Sequence, residues 1–317
     1  MTEPAPPLTV LYIGGVGRSG STLLDRLLGV APDVVSVGEL VYLWRNFLRL
    51  QRLCGCGLVG VECPFWAAVL GRAFPGGPPA PGQMEPLIRR ATSAGPVGRK
   101  LLRLGPGDAR GDVAELQDAF AAIYRAIAAE SGKRVIIDSG KHIRLALMLD
   151  GMHGVAVRLV HLVRDPRASA FSWTRDRMYP IGQGKTAPMQ RLSPHESTLW
   201  WDAATLLGTL APLSGLPTKR VHYEDLVAHP NETVAAIRRF AGLPPAPPPV
   251  DASGAAPLDL YHAVGGNPMR FNRGPTPIRL DDEWRQAMPS RQKALVTAMT
   301  LPWLAAYRYI LPGGRRG

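Results

Sequence analysis

A glycine-rich segment near the N-terminus has the residue types and spacing of a phosphate-binding loop. The sequence GVGRSGST matches the frame G-x4-G-x-[ST], with Gly15 and Gly20 as its fixed glycines. Ser21 stands where ATP- and GTP-hydrolysing loops carry the lysine that bridges phosphates, so this loop is poorly equipped to hydrolyse a triphosphate. Backbone amides and the hydroxyls of Ser21 and Thr22 remain as donors at a helix N-terminus. The segment therefore predicts a site for one phosphate group. The alternative to a phosphate site is that the glycines serve only to form a tight turn between strand and helix.

An arginine and a serine follow a second buried strand. Arg164 comes directly after VRLVHLV, Asp165 and Pro166 turn the chain into a helix, and Ser172 lies eight positions after Arg164. An arginine at a strand end and a serine two turns into the next helix can hold one phosphate from two sides. This pattern predicts a second anion site.

A third polar cluster, DSGKH, follows the strand-like run RVII. Lys141 can stabilise negative charge on a leaving group or on transferred oxygens, with a solvated loop lysine as the alternative. Asp138 can orient Lys141 or Ser139 and is not expected to act directly. His142 is a possible general base, although most lone histidines are structural.

The elements that must position these clusters form an alternating strand and helix pattern. Short apolar runs typical of buried strands occupy residues 8–13, 134–137, 158–163 and 219–222. The carboxyl ends of parallel strands share one edge of a sheet, so the three clusters should converge on one crevice. We predict an α/β fold, a P-loop-type parallel β-sheet flanked by helices.

We predict one domain over residues 1–317. Residues 40–131 are helical and loop-rich, and we expect a helical insertion on the acceptor side after the first βα unit. A proline-rich linker is predicted over 244–257, followed by a C-terminal loop and helix over 258–317. The insertion also holds aromatic residues that either line an apolar acceptor cleft or pack in the core, namely Tyr42, Trp44, Phe47, Phe65 and Trp66.

The two phosphate motifs resemble those of sulfotransferases that use 3'-phosphoadenosine 5'-phosphosulfate (PAPS). GGVGRSGSTLL is similar to the family's 5'-phosphosulfate-binding loop, and VRDPRASAFSW is similar to its 3'-phosphate-binding motif. The resemblance implies that 5'-phosphosulfate contacts come from Gly17, Arg18, Ser19, Gly20, Ser21 and Thr22, and 3'-phosphate contacts from Arg164 and Ser172. It also implies that Arg18 lies over the bond to the transferred group and that no metal is required.

Three further segments extend the resemblance along the chain. VHYEDLVAHPNETV is similar to the segment that follows in this family and adds Tyr223 to the cofactor contacts. GNPMRFNRG lies where family members place a basic loop near the 3'-phosphate, which implies Arg270 and Arg273. The R-S-G-S-T pattern resembles the tyrosylprotein and carbohydrate branch, whose catalytic glutamate lies in a G-E segment. That implies Glu39 as general base, with a structural salt bridge as the alternative. Cytosolic members of the family use a histidine at the corresponding strand end, so the resemblance implies His142 as the second candidate for the general base.

The resemblance implies in-line transfer of a sulfuryl group from PAPS to an acceptor hydroxyl on a small molecule, carbohydrate or lipid. A P-loop nucleotide kinase or NTPase is the first alternative, and magnesium dependence would distinguish it. The net charge of +12 motivates the second, a non-enzymatic nucleic-acid-binding protein. Because the basic residues form no block of like charge, we expect no nucleic-acid partner.

Composition adds two expectations. The apolar runs are shorter than the roughly 20 residues of a membrane-spanning helix, and the N-terminus lacks the pattern of a secretory signal, so we expect a bacterial-type cytoplasmic protein with no membrane span. The chain's three cysteines, Cys54, Cys56 and Cys63, lie in one stretch. Zinc normally needs four ligands, and no histidine is near in sequence. We assign these cysteines no chemistry and predict no metal, with a zinc site or a disulfide as the alternatives.

Overall fold

The computed structural model describes residues 7–105, 110–182 and 184–310. Its strands are β1 (Leu8–Gly15), β2 (Val34–Gly38), β3 (Val135–Lys141), β4 (Val155–Val163), β5 (Met178–Gly182), β6 (Lys185–Pro188), β7 (Thr218–His222), β8 (Ala255–Leu258) and β9 (Gly274–Pro277).

Helices flank these strands throughout the chain. They are α1 (Ser21–Gly29), α2 (Pro64–Ala73), α3 (Pro81–Ala91), α4 (Ala94–Leu101), α5 (Arg110–Ser131), α6 (Ile143–Leu149), α7 (Pro166–Thr174), α8 (Pro194–Leu210), α9 (Tyr223–Ala228), α10 (Pro230–Phe240), α11 (Trp284–Ala287) and α12 (Ser290–Ala306). Within the described ranges, no helix is both long and apolar enough to cross a lipid bilayer.

The central sheet is parallel and has the strand order β2-β3-β1-β4-β7. The predicted α/β fold is confirmed. Four of its strands match the four apolar runs, while β2 was not expected. Its sequence VVSVG is short and follows α1 closely, and it becomes a strand by pairing with β3, more than 90 residues later in the chain.

The sheet has a hydrophobic core on each face because side chains alternate along a strand. Val10 and Tyr12 of β1 face the cluster formed largely by α2, α5 and α6, whereas Leu11 and Ile13 face the cluster formed by α1 and α10. Both faces of β1 are covered, which is why its sequence is a continuous apolar run rather than an alternating one. This burial fixes β1, and hence the loop that follows it.

The structure decides two points that the sequence left open. In the insertion, Trp44, Phe47 and Trp66 have no exposed surface and belong to the core. In the proline-rich segment, Ala255–Leu258 pairs with Gly274–Pro277 as an antiparallel ribbon. The C-terminal part of that segment is therefore held against the following loop.

Candidate active site

The phosphate-loop sequence lies between β1 and α1 in the conformation that its glycines allow. Gly20 caps α1 at φ 90°, and its position allows no Cβ because the ring of Tyr223 would be 2.4 Å away. Arg18 also adopts a left-handed conformation at φ 69°, which is uncommon for a residue with a side chain. The loop is thus shaped by close contacts, and the amides at the N-terminus of α1 face the crevice beyond the sheet edge.

Ser19, Ser21 and Thr22 have different surroundings within this loop. The Ser19 hydroxyl is buried and donates a 2.7 Å hydrogen bond to the Val16 carbonyl, so it stabilises the turn. Ser21 and Thr22 line the crevice. The Thr22 hydroxyl oxygen accepts a hydrogen bond from the Asn267 amide at 3.1 Å, which brings the C-terminal loop to the start of α1.

Arg18 extends from the loop across an indole ring. Its guanidinium lies 5.0 Å from the centre of the Trp173 ring and contacts the Met189 sulfur at 3.7 Å. Burial, together with the nearby charge of Arg177, lowers the pKa of Arg18 to about 10, so the side chain remains a cation at neutral pH. The indole face and the sulfur hold this cation at the mouth of the loop.

Arg164 leaves the end of β4 and lies beneath the same loop. One of its terminal nitrogens donates to the Arg18 carbonyl at 3.1 Å, and the other forms an ion pair with Asp281 at 3.2 Å. Its guanidinium is 4.4 Å from the centre of the Tyr223 ring. Its Nε is buried and has no hydrogen-bond partner within the described part of the chain. A buried donor without a partner is costly, which favours a ligand at this position.

Ser172, on α7, lines the same crevice and is 5% exposed. Asp165 caps α7 by accepting a hydrogen bond from the Arg167 amide, which fixes the direction in which the helix leaves the strand. The structure brings Arg164, Ser172 and the phosphate loop together, as the parallel-sheet argument required. Their roles as ligand contacts stay predictions.

A carboxylate and an ammonium group meet at the neighbouring strand ends. Glu39 follows β2 and forms an ion pair with Lys141, the last residue of β3. Lys141 adopts φ 67°, a conformation that turns its side chain out of the strand path toward the crevice. Glu39 and Lys141 were predicted separately from the sequence, and their pairing means that each sets the charge environment of the other.

His142 lies beside this pair. Its Nε2 is 2.8 Å from the hydroxyl of Tyr42. Burial, followed by the charge of Lys141, lowers the pKa of His142, so the ring is neutral at pH 7 and can accept a proton.

Asp138 lies deeper, where its carboxylate accepts hydrogen bonds from the Tyr124 hydroxyl and the Gly140 amide. Burial raises the pKa of Asp138 to about 7. It contacts neither Lys141 nor Ser139 in a way that would orient them.

Apart from the buried Ser19, Asp138 and Asp165, these groups line one cavity of about 1010 Å³. Eight basic side chains and only two carboxylates, Glu39 and Asp281, line it. The basic set is Arg18, Arg45, Arg52, Lys141, Arg144, Arg164, Arg177 and Arg279. A half-enclosed cavity with this charge balance concentrates anions.

Residues 107–247 match the family model described as the sulfotransferase family. These residues belong to that family. No protein with a curated description matches the chain. Among solved structures, the sulfotransferase domain from the curacin biosynthetic pathway covers 95% of this chain and 98% of its own, with 17% identity and a TM-score of 0.52. That likeness supports the fold.

Two other solved sulfotransferases align along nearly the whole chain. The domain from the Synechococcus PCC 7002 olefin synthase shows 18% identity, covers 97% of both chains and has a TM-score of 0.45. The enzyme from Alicyclobacillus acidocaldarius shows 14% identity, covers 98% of this chain and 100% of its own, and has a TM-score of 0.41.

Two arginines suggested for the sulfotransferase nucleotide site lie elsewhere. Arg270 has no exposed surface, donates to the Gly266 and Leu53 carbonyls, and stacks between Tyr179 and Phe271. Neither Arg270 nor Arg273 is among the cavity residues. Arg279 lies there instead.

Several other residues of the cavity were not predicted from the sequence. Trp173 follows Ser172 directly, so its place beside the loop could have been suspected from the motif. Arg45, Arg52 and Arg177 lie in the insertion and in a hairpin strand region, where nothing in the local sequence distinguishes them from ordinary surface arginines.

Proposed function

We propose that this protein transfers a sulfuryl group from PAPS to an acceptor hydroxyl. The observation that carries the proposal is the meeting of two anion-binding arrangements in one cation-lined cavity. One is the amide-rich N-terminus of α1 behind β1, and the other is Arg164 with Ser172 behind β4. PAPS carries anionic groups at both ends of its ribose, so two separated sites of this kind suit it. A triphosphate would instead need the absent loop lysine.

The donor would bind with its 5'-phosphosulfate at α1 and its 3'-phosphate at Arg164 and Ser172. The Ser21 and Thr22 hydroxyls supplement the loop amides at the first position. At the second, the unpaired Nε of Arg164 supplies a charge-assisted donor, while Tyr223 and Asp281 keep the guanidinium in place.

The reaction is an in-line displacement at sulfur. The acceptor oxygen forms a bond to sulfur while the bond from sulfur to the phosphate oxygen breaks, leaving adenosine 3',5'-bisphosphate. The hydroxyl proton passes to Glu39, and the growing negative charge on the leaving oxygen and the sulfuryl oxygens is stabilised by Arg18 and Lys141. Lys141 forms an ion pair with Glu39, so the proposed base and the proposed stabilising cation lie side by side.

His142 is the competing base, and the structure supplies an argument for it. Its pKa is lowered by burial and by Lys141, so it is neutral, and Tyr42 holds its ring. Glu39 is favoured because it lies between Lys141 and the C-terminal loop. A Cβ atom placed on Gly265 of that loop would be only 3.3 Å from the Glu39 Cβ. Substitution of each side chain separately decides between them.

The acceptor region of the cavity lies between the insertion and α8. Leu50, Trp200, Ala203 and Leu207 give this part an apolar surface, and Trp200 is 52% exposed. Such a surface suits an acceptor whose hydroxyl is attached to a sizeable apolar body rather than a highly charged one.

Thermal unfolding with and without adenosine 3',5'-bisphosphate, in magnesium-free buffer, tests the proposal. At a ligand concentration a hundredfold above its dissociation constant, binding adds about 2.7 kcal/mol to the free energy of unfolding. We expect this stabilisation in the wild type and in Arg72→Ala, an exposed arginine outside the cavity, and its loss in Ser172→Ala combined with Arg164→Lys. No stabilisation at millimolar bisphosphate, with stabilisation by ATP and magnesium, would overturn the proposal in favour of a kinase or NTPase.

A further inference from the structure

All three cysteines of the chain gather around one histidine from a distant segment. Cys54, Cys56 and Cys63 come from the insertion, and His262 comes from the C-terminal loop. Within the described part of the chain this is the one group of three or more such side chains whose ligand atoms could hold a metal, and all four atoms lie within 4.8 Å of one another. The sequence alone indicated only the three cysteines, whereas a zinc ion normally needs four ligands.

The distances match a tetrahedral metal site. The Cys63 sulfur is 3.2 Å from Nδ1 of His262, the Cys54 sulfur is 3.9 Å from the same nitrogen, and the Cys56 and Cys63 sulfurs are 3.7 Å apart. Around a zinc ion with bonds of about 2.3 Å to sulfur and 2.0–2.1 Å to nitrogen, neighbouring ligand atoms lie about 3.5–3.8 Å apart. The three distances lie within about 0.4 Å of this spacing, and all four ligand atoms lie within 4.8 Å of one another.

Surrounding contacts set the direction of each ligand. The His262 ring stacks on Phe65 at 4.7 Å, and its carbonyl accepts a 2.9 Å hydrogen bond from the Trp66 indole. Gly55 has no space for a Cβ, which would be 2.4 Å from the Tyr261 carbonyl, so this glycine lets the two segments approach. Supporting contacts of this kind are typical of metal sites, and here Nδ1 of His262 faces the cysteines.

We propose that Cys54, Cys56, Cys63 and His262 bind one zinc ion as a structural site. Three thiolates and an imidazole complete a tetrahedron, which leaves no open position for substrate or water. A disulfide between Cys56 and Cys63 would explain two of the sulfurs and leave the convergence of Cys54 and His262 without a cause.

The site would fasten the insertion to the C-terminal loop that lines the cavity. Next to His262, the Val264 amide donates to the Val37 carbonyl of β2, and the Asn267 amide donates to Thr22. Gly265 and Gly266 lie against Glu39. Zinc at His262 thus orders a segment that covers both the phosphate loop and the carboxylate, without taking part in the chemistry.

The first test is metal analysis of the full-length protein purified without a metal-affinity step. We expect one zinc per chain, and less than a tenth of that in Cys63→Ser and in His262→Ala. His195→Ala, which removes an exposed histidine, serves as the matched control and should keep its zinc. Replacement of zinc by cobalt(II) should give thiolate-to-cobalt charge-transfer absorption, which both cluster variants lose. Circular dichroism establishes whether each variant is folded.

Thiol titration of the native protein gives an independent measurement, because the chain has no cysteine outside the cluster. We expect the thiols to react only as zinc is released, with hydrogen exchange at residues 261–267 rising at least tenfold after release. A folded wild-type protein that binds no zinc and shows freely reactive thiols, or an intact mass lowered by the two hydrogens of a disulfide, would overturn the proposal. Neither measurement depends on nucleotide binding, so the zinc site and the proposed sulfuryl transfer can fail separately.

Discussion

The proposed donor side and the proposed acceptor side of the cavity are built by different means. On the donor side, Ser21, Arg164 and Ser172 are each at most 5% exposed and sit at the ends of buried strands or in the first turns of helices. On the acceptor side, Leu50 is 41% and Trp200 is 52% exposed. The difference indicates a rigid site for one fixed co-substrate beside an adaptable surface for the second.

The cause of this difference is the attachment of each side to the sheet. Donor groups follow β1 and β4, adjacent strands covered by core on both faces, and Arg164 is bonded to the Arg18 carbonyl. Acceptor groups lie on the insertion and on α8, away from any strand end. Packing on both faces of a central strand restrains the position of its end, whereas an exposed side chain on a helix keeps its rotamer freedom.

The largest expected effect comes from removing the donor anchor. Arg164→Ala should lower kcat/KM by about 10³-fold, because the buried cation and the charge-assisted hydrogen bond from its Nε to a phosphate are both lost. Steady-state transfer of labelled sulfate measures it, and Arg72→Ala is the control. Arg164→Lys should recover only part of the loss, since a lysine ammonium cannot keep the bonds to the Arg18 carbonyl and Asp281 and also bind the phosphate as the planar guanidinium does. Full recovery of kcat/KM in Arg164→Lys would show that a positive charge at this position is sufficient.

The second effect separates catalysis from donor binding. Glu39→Gln should lower kcat by about 10²-fold or more while the affinity for adenosine 3',5'-bisphosphate changes little, because the amide cannot take the acceptor proton. Calorimetric titration of the bisphosphate checks the binding part. If His142→Gln gives the larger loss in kcat, then His142 is the base and Glu39 serves to hold Lys141.

The third prediction concerns the strand that carries the donor anchor. His161, in β4, is 1% exposed, and burial followed by the charge of Arg220 lowers its pKa to about 3. Below pH 6.5, His161 is protonated in the unfolded chain but stays neutral in the folded protein. The free energy of unfolding that this histidine contributes above pH 6.5 is therefore lost as the pH falls toward 3. At pH 5 the loss amounts to about 2 kcal/mol.

Urea unfolding of the wild type and His161→Gln at pH 8, 6.5 and 5 tests this. Any packing cost of the substitution appears already at pH 8, and the titrations of Asp25 and Asp138 are common to both proteins. We therefore expect the wild type to lose stability relative to the variant between pH 6.5 and 5. An unchanged difference across that range would show that His161 is protonated in the folded protein.

The smallest effect is expected on the acceptor side. Trp200→Ala should raise the acceptor KM about three- to tenfold, through lost apolar contact, and leave the affinity for the bisphosphate unchanged. Leu301→Ala, an exposed leucine on α12, is the control. A loss of bisphosphate affinity in Trp200→Ala would show that the two sides are coupled, with Trp173 as the connection, since the two indole rings are 6.3 Å apart.

Local sequence was enough for four of the five strands of the central sheet, the glycine loop and the placement of Arg164 and Ser172 at one edge. Each of these depends on a strand, a turn and a helix that are consecutive in the chain, and parallel strands bring their carboxyl ends together by geometry. The family match over residues 107–247 agrees with the motif found there. The contacts that these residues make with PAPS stay predictions.

Other features depended on pairs that are distant in sequence. The partner of β2 is β3, and the partner of Glu39 is Lys141, 102 positions away. Arg270 looked like a phosphate contact in its local segment, yet it lies in the core because Leu53, Tyr179 and Phe271 surround it. A local sequence pattern shows which types of side chain are present. It does not show which residues will surround them in the folded protein.

The sequence by itself determined the class of the fold and the edge of the sheet at which we propose that an anion binds, because hydrophobic periodicity and glycine spacing act within single βα units. Only the tertiary structure decided which charges face each other and whether the cysteines have a fourth ligand. His262 reaches Cys63 from 199 positions away, through a loop whose path is fixed by packing and by bonds to β2 and α1. Such a meeting is a property of the folded core and leaves no local signal in the chain.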